Sequence, residues 1–211
     1  MANDPTLANE SLVALLRARH LGGPDLEVAH ALSRSNNVRE RILARRALCA
    51  QGALGSDGWR DALDDPSPEA RRDAVEWAAR EGFPVELLPA LRERLEDTDA
   101  LVSEAACFAL GEHGDHDAVD AMCRIASDHE DPRCREAALG ALGAIGDERA
   151  KPTVLGALND RASVRRRAVV ALAAFEGDDV DAALEVARED RDWQVRAAVD
   201  QLDPHGVEEL D

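Results

Sequence analysis

The chain has 211 residues, of which 45% are hydrophobic but only 3% aromatic and none tyrosine, so the apolar content is mostly alanine and leucine, which lose little entropy in a helix. Its 43 acidic residues outnumber 25 basic ones, of which only Lys151 is lysine, and the formal charge is -18. A charge this negative opposes approach to a polyanion, which argues against nucleic acid and anionic membrane as partners, and few residues favour strand.

In chain order, the opening MANDPTLANE lacks the basic start and apolar core of a signal peptide, and no stretch approaches the roughly eighteen apolar residues needed to span a bilayer; a cytoplasmic location is expected. Two helical stretches, TLANESLVALLRARH and PDLEVAHALSR, flank Leu21-Gly22-Gly23-Pro24 and read as a capping repeat over residues 1–36. A periodic pattern then occupies residues 37–202. Aligning SNNVRERILARRA with SPEARRDAVEWAA, DALVSEAACFALG, DPRCREAALGALG, RASVRRRAVVALA and DWQVRAAVDQL sets anchors at Val38, Ala70, Val102, Cys134, Val164 and Val195, spaced by 30 to 32 residues. Gly82, Gly114, Gly146 and Gly177 repeat at 31 or 32 residues in a second, independent phase.

Each anchor opens a helix whose apolar residues recur at helical spacing, as in Cys134, Ala137, Ala138, Ala141, Leu142 and Ile145. Glycine follows where the chain leaves the helix, and the aspartate after it, in Gly114-Asp115, Gly146-Asp147 and Gly177-Asp178, is placed to cap a second helix. The second helices carry their own stripes, Val119, Met122, Cys123 and Ala126, then Val154, Leu155 and Leu158, then Val180, Ala183, Leu184 and Ala187. The second helix of the first regular repeat is weak, around Trp59 to Leu63, and a last helix near Asp192 to Leu202 precedes an acidic tail, 203–211. One hairpin buries too little apolar surface to offset its ordering entropy, so stacking is obligatory and an all-α solenoid forming one continuous domain is expected.

The stretch Asp131-Pro132-Arg133-Cys134-Arg135-Glu136-Ala137-Ala138-Leu139-Gly140-Ala141-Leu142-Gly143-Ala144-Ile145-Gly146-Asp147 closely resembles the HEAT-like repeat named after phycobilisome lyases. The resemblance implies an armadillo-type superhelix, and it implies several functions, because that repeat serves scaffolds, bilin lyase subunits, DNA glycosylases and a di-iron hydroxylase. In the last of these, deoxyhypusine hydroxylase, iron is held by His-Glu pairs at the second and third positions after the anchor. Here those positions read Glu40-Arg41, Arg72-Asp73, Glu104-Ala105, Glu136-Ala137, Arg166-Arg167 and Ala197-Ala198, with no histidine, so the site does not carry over.

The arginine after the anchor recurs as Arg39, Arg71, Arg135, Arg165 and Arg196, with Ser103 the exception, and reads as a structural ladder of ion pairs with nearby aspartates, with partner binding as the alternative. Arg165 to Arg167, together with Arg39, Arg41, Arg45 and Arg46, form basic patches, expected on a solvated face or as a dock for an acidic protein. Trp193 is expected to cover the exposed end of the core, or to anchor a partner. His113 and His116 lie at one end of a hairpin and His129 at the other, and the four cysteines suit reduced core thiols, so no metal or other cofactor is expected.

Second helices line the inner, concave face of such a stack. Their off-stripe residues Arg92, Asp120, Arg124, Thr153, Glu185 and Arg188 form a mixed-charge strip suited to a folded protein or an extended peptide. No activated nucleophile or paired general base appears there. The expectation is a non-enzymatic scaffold or adaptor that binds protein; the alternative is an enzyme or enzyme subunit of the bilin lyase-like or metal-dependent hydroxylase-like class.

Overall fold

A computed structural model describes residues 13–20, 23, 25–80 and 82–202; the acidic tail and much of the capping repeat lie outside the described residues. Every regular element among them is a helix: α1 (13–20), α2 (Asp25–Leu32), α3 (Val38–Ala50), α4 (Gly55–Leu63), α5 (Pro68–Ala78), α6 (Leu88–Glu93), α7 (Ala100–Glu112), α8 (Val119–Asp128), α9 (Pro132–Ile145), α10 (Lys151–Gly156), α11 (Ala162–Leu172), α12 (Asp178–Arg188) and α13 (Trp193–Leu202). Short 3-10 turns lead into α6, α8 and α10. The fold is an α-solenoid of helical hairpins, built in two compact units, Met1–Arg94 and Leu95–Asp211.

In the unit Leu95–Asp211 the first helices α7, α9, α11 and α13 pack side by side. Each second helix rests on the first helix of the following repeat, α8 on α9, α10 on α11 and α12 on α13. A hairpin is therefore completed by its neighbour rather than by its own two arms, the physical content of repeat stacking. Leu110, Leu142 and Leu172, equivalent residues of α7, α9 and α11, are fully enclosed, each contributing about 2 kcal/mol of transfer free energy. The final repeat closes on Val169, Ala187, Val195, Ala198 and Val199, with Leu158, Leu184 and Leu202 around them.

Three of the first helices start in the same way. The side chains of Asn37, Asp99 and Asp131 accept the backbone N–H two residues on, at 3.0, 2.9 and 2.9 Å, satisfying a donor the helix cannot use. Gly114 and Gly146 leave the first helices at φ 61 and 66, and Asp115 and Asp147 then accept from Asp117 and Arg149 to start the next turn. The third Gly-Asp step differs from the expectation. Gly177 at φ 128 precedes α12 directly, Asp178 already lies inside the helix, and it is Asp179 that accepts the N–H of Val180.

The helix caps also correct the register of the first regular repeat. Measured from the cap, the enclosed positions of α3 are Ala44, Ala47 and Leu48, matching Ala106, Ala109 and Leu110 in α7, while Val38 is only half-buried. The anchor position is therefore Glu40, two residues beyond Val38, and the arginine after it is Arg41. α4 also begins earlier than expected, at Gly55.

That shift explains the basic patch of the unit Met1–Arg94. Arg41 grips Asp65 with two bonds of 2.7 Å and donates a third, at 2.9 Å, to the Ser35 carbonyl. Arg45 occupies a core position and reaches the same carboxylate at 2.6 Å. Arg46 pairs with the buried Asp73. Only Arg39 of this patch stays on a solvated face. Burial works against ionisation of Asp65, but Arg41, the Ser67 N–H and Arg45 together outweigh it and bring its carboxyl down to about 2.

Arg135 and Arg165 follow the pattern set by Arg41. Each makes two parallel bonds to an aspartate at the end of its own hairpin, Asp160 at 2.7 and 2.9 Å and Asp190 at 2.8 and 2.7 Å. Each also donates to a carbonyl in the preceding loop, that of His129 at 2.6 Å and that of Asp160 at 2.8 Å. The ladder is structural, and it ties both ends of one hairpin to the loop before it. Its partners are not the aspartates nearest in sequence: Asp131 pairs with Arg133 instead.

Candidate interaction surface

The second helices of the unit Leu95–Asp211 leave two open grooves between them. α8 and α10 are separated by a cleft of about 590 Å³ lined by Ala126, Ser127, Pro152, Thr153, Gly156 and Asn159. Local sequence accounts for its width. α10 buries Val154 and turns small or ring-shaped residues outward, and a Cβ on Gly156 would meet nothing within 4 Å. A second groove of about 270 Å³ lies between α10 with its terminal 3-10 turn and α12, lined by Leu155, Leu158, Ala183 and Val186, with Asp190 at its end. Val186 is 76% exposed.

The charges around these grooves are tied to one another. Arg149 donates to Asp147 at 3.0 and 2.9 Å, to Asp120 at 3.0 Å and to the His116 carbonyl at 2.7 Å. His116 Nδ1 lies 2.9 Å from Asp147 Oδ2. Arg149 and His116 together hold the Asp147 carboxyl well below the usual carboxylate range. Burial raises the Cys123 thiol, opposed by a hydrogen bond with Thr153, so Cys123 is a poor thiolate. Burial likewise pushes Cys49 up to about 12 and Cys134 up to about 11. Among the described residues no three His, Cys, Asp or Glu side chains form a group that could hold a metal ion.

The residues singled out from sequence fall as follows. Asp120 and Arg124 share α8, where Arg124 donates to the Asp120 carbonyl at 3.3 Å and stands 3.8 Å from Glu96. Thr153 lies in the wide cleft. Glu185 accepts from Arg188 at 3.1 Å on α12, and Arg188 also faces Asp200 at 3.8 Å. Arg92 belongs to α6 in the other compact unit. The charges of the strip are thus largely paired within the protein, and the groove walls differ: Ser127, Thr153 and Asn159 make the first partly polar, whereas Leu155, Leu158 and Val186 make the second aliphatic. Leu155 and Leu158, expected in the buried stripe, are half-buried groove residues, while Ala157 takes the core position. The small residues Gly156 and Pro152 on one helix were the available signal for the cleft between α8 and α10. Trp193 does not cover the core: it is 65% exposed.

The family model for HEAT repeats matches residues 56–139, 88–173 and 123–203. The chain belongs to the HEAT-repeat family. Its repeats are similar in fold to three solved structures. An engineered protein is 18% identical, with a TM-score of 0.62, covering 85% of this chain and 95% of its own. The complex of CpcE and CpcF of phycocyanin lyase from Nostoc sp. PCC7120 is 24% identical, with a TM-score of 0.61, over 85% of this chain and 77% of that one. A designed armadillo repeat protein in complex with the peptide (KR)4 is 17% identical, with a TM-score of 0.60, over 90% of this chain and 96% of that one. No curated protein matches the chain in sequence. Among the described residues no helix is long and apolar enough to cross a membrane.

Proposed function

We propose that this HEAT-repeat protein is a non-enzymatic scaffold that binds another protein across its second-helix face, with the grooves beside α10 as the principal contact in residues 95–211. The observation that carries this reading is the pair of adjacent grooves, one floored by Gly156 and Pro152 and the other walled by Leu155, Leu158 and Val186. The aliphatic side chains of Leu155, Leu158 and Val186 in the second groove supply association energy, and ion pairs such as Arg149–Asp120 and Arg188–Glu185 form a polar rim around the two grooves. The peptide held by the designed armadillo relative and the paired chains of the lyase relative add support, since both use repeat proteins of this fold to hold polypeptide.

Replacing Gly156 by tryptophan tests the reading. A Cβ at that position would meet nothing within 4 Å, so Gly156→Trp directs a large side chain into the cleft from an open position. Capture of the cognate partner from the native cytoplasm then falls steeply, as it does more modestly with Arg124→Glu. A partner held equally well by both variants would remove this face from consideration.

A further inference from the structure

A third groove lies on the other side of the repeats, between first helices α11 and α13. It encloses about 280 Å³ and is lined by Arg166, Arg167, Val170, Trp193, Ala197 and Gln201, among others. Trp193 is 65% and Val170 44% exposed, so a large aromatic and an aliphatic side chain stand open to water side by side. No carboxylate lines this groove, although the chain carries 43 of them. The neighbouring Arg165 is fully engaged with Asp190, whereas Arg166 and Arg167 have no ion-pair partner among the described residues. Arg167 also extends over α9, where its side chain comes within 3.7 Å of the place a Cβ on Gly140 would occupy. Its guanidinium therefore rests on a residue with no side chain to crowd it.

Several arginines elsewhere answer aspartates, Arg41 with Asp65, Arg46 with Asp73 and Arg135 with Asp160, and what sets Arg166 and Arg167 apart is their place beside an exposed tryptophan. Two unanswered guanidiniums flanking an exposed tryptophan are what an interface keeps in reserve, since Trp and Arg dominate binding hot spots and the energy of a charged contact is realised once water is excluded around it. We infer that the α11–α13 groove docks an acidic peptide segment of a partner protein, with an aliphatic residue on Trp193 and Val170 and adjacent carboxylates on Arg166 and Arg167. The net charge of -18 opposes every anion, and a nucleic acid with its many phosphates more than a segment with two carboxylates, whose contact with Arg166 and Arg167 lies within the screening length. This surface is separate from the second-helix face, so the two readings stand or fall independently.

The test uses the full chain and a synthetic peptide of Glu and Asp with one central Leu. Of the three tryptophans Trp59 is buried and Trp77 half-buried with Arg80 over its ring, so a shift of emission on binding reports Trp193. Saturable binding with a blue shift is expected, weakened about tenfold or more in the Arg166→Glu/Arg167→Glu double variant, weakened again when the peptide Leu becomes Ser, and unaffected by Gly156→Trp. Three results would overturn the inference: no saturable shift at millimolar peptide; equal binding by the double variant; or tighter binding of an oligothymidylate through the same arginines. A chain that sediments as a dimer, and becomes monomeric with Trp193→Ser, would assign the groove to a second copy instead and would also overturn it.

Discussion

Gly143 of α9 lies against Ala171 of α11 so closely that a Cβ on the glycine would stand 2.8 Å from the alanine Cα. The same contact occurs one repeat earlier, where a Cβ on Gly111 would stand 2.9 Å from the Cα of Ala141. Backbone-to-backbone approach of this kind sets the distance between successive first helices, and nothing flexible is present to yield. Gly143→Val is expected to cost about 3 kcal/mol in urea unfolding, by overpacking a contact that cannot relax. Gly140→Ala on the same helix meets only the flexible Arg167 at ordinary contact distance and is expected to be neutral or to gain about 0.5 kcal/mol.

Arg165 and Asp190 form a well-enclosed rung of the arginine ladder, with side chains 7% and 15% exposed. Arg165→Met strands a carboxylate and is expected to cost about 3 kcal/mol, read as a lowered urea midpoint at unchanged slope. The double variant Arg165→Met/Asp190→Leu is expected to recover much of that loss, because a buried ion pair is worth far less against an apolar replacement than against a broken half.

Acid should unfold the protein through these same carboxylates. Against burial, its arginine partners and the Ser67 N–H hold the Asp65 carboxyl down to about 2 in the folded chain, compared with 3.8 for an ordinary aspartate, and Asp160 and Asp190 are shifted the same way by Arg135 and Arg165. A folded pKa below the unfolded one gives stability that is complete above about pH 4 and is lost as pH falls towards 2. For Asp65 that is about 2 kcal/mol at neutral pH. Circular dichroism at intermediate urea is expected to show a steep loss of helix in that window, and Asp65→Asn is expected to flatten it.

Ser103 and His129 depart from the repeat together. Ser103 stands where Arg135 and Arg165 stand in later repeats and gives its hydroxyl to the Leu95 carbonyl at 2.8 Å. His129 stands where Asp65 and Asp190 stand, accepting the Asp131 N–H on Nδ1 at 3.0 Å as those aspartates accept the N–H two residues on. Both halves of one rung have been exchanged, so the positions are coupled. Ser103→Arg alone is expected to destabilise, and adding His129→Asp to restore about 1 to 2 kcal/mol in a double-mutant cycle.

How far the sequence carried the fold depended on which signal was used. The glycine and anchor phases of α7 to α13 placed the hairpins, because their apolar residues repeat at a fixed offset from a capping aspartate. In α3 the apolar residue Val38 was the misleading signal and Asn37 the informative one: counting from the cap gives Arg41 and Arg45 their places, counting from the valine leaves them on a solvated face. The interaction surface was less legible. Leu155 and Leu158 are apolar at helical spacing, and the pattern alone does not distinguish a residue covered by the next helix from one lining an open groove. Trp193 was misplaced for a related reason: its hydrophobicity suggested a cover, while it stands largely exposed in the groove between α11 and α13.

The central claim is that protein is bound on the second-helix face, and site-specific photocrosslinking in cells of the native host tests it most directly. A photoreactive residue at Thr153 or at Val186 is expected to yield a discrete protein adduct, while the same residue at Phe108, 58% exposed on first helix α7, yields none of that species. Adducts from Phe108 with none from Thr153 or Val186 would contradict the account.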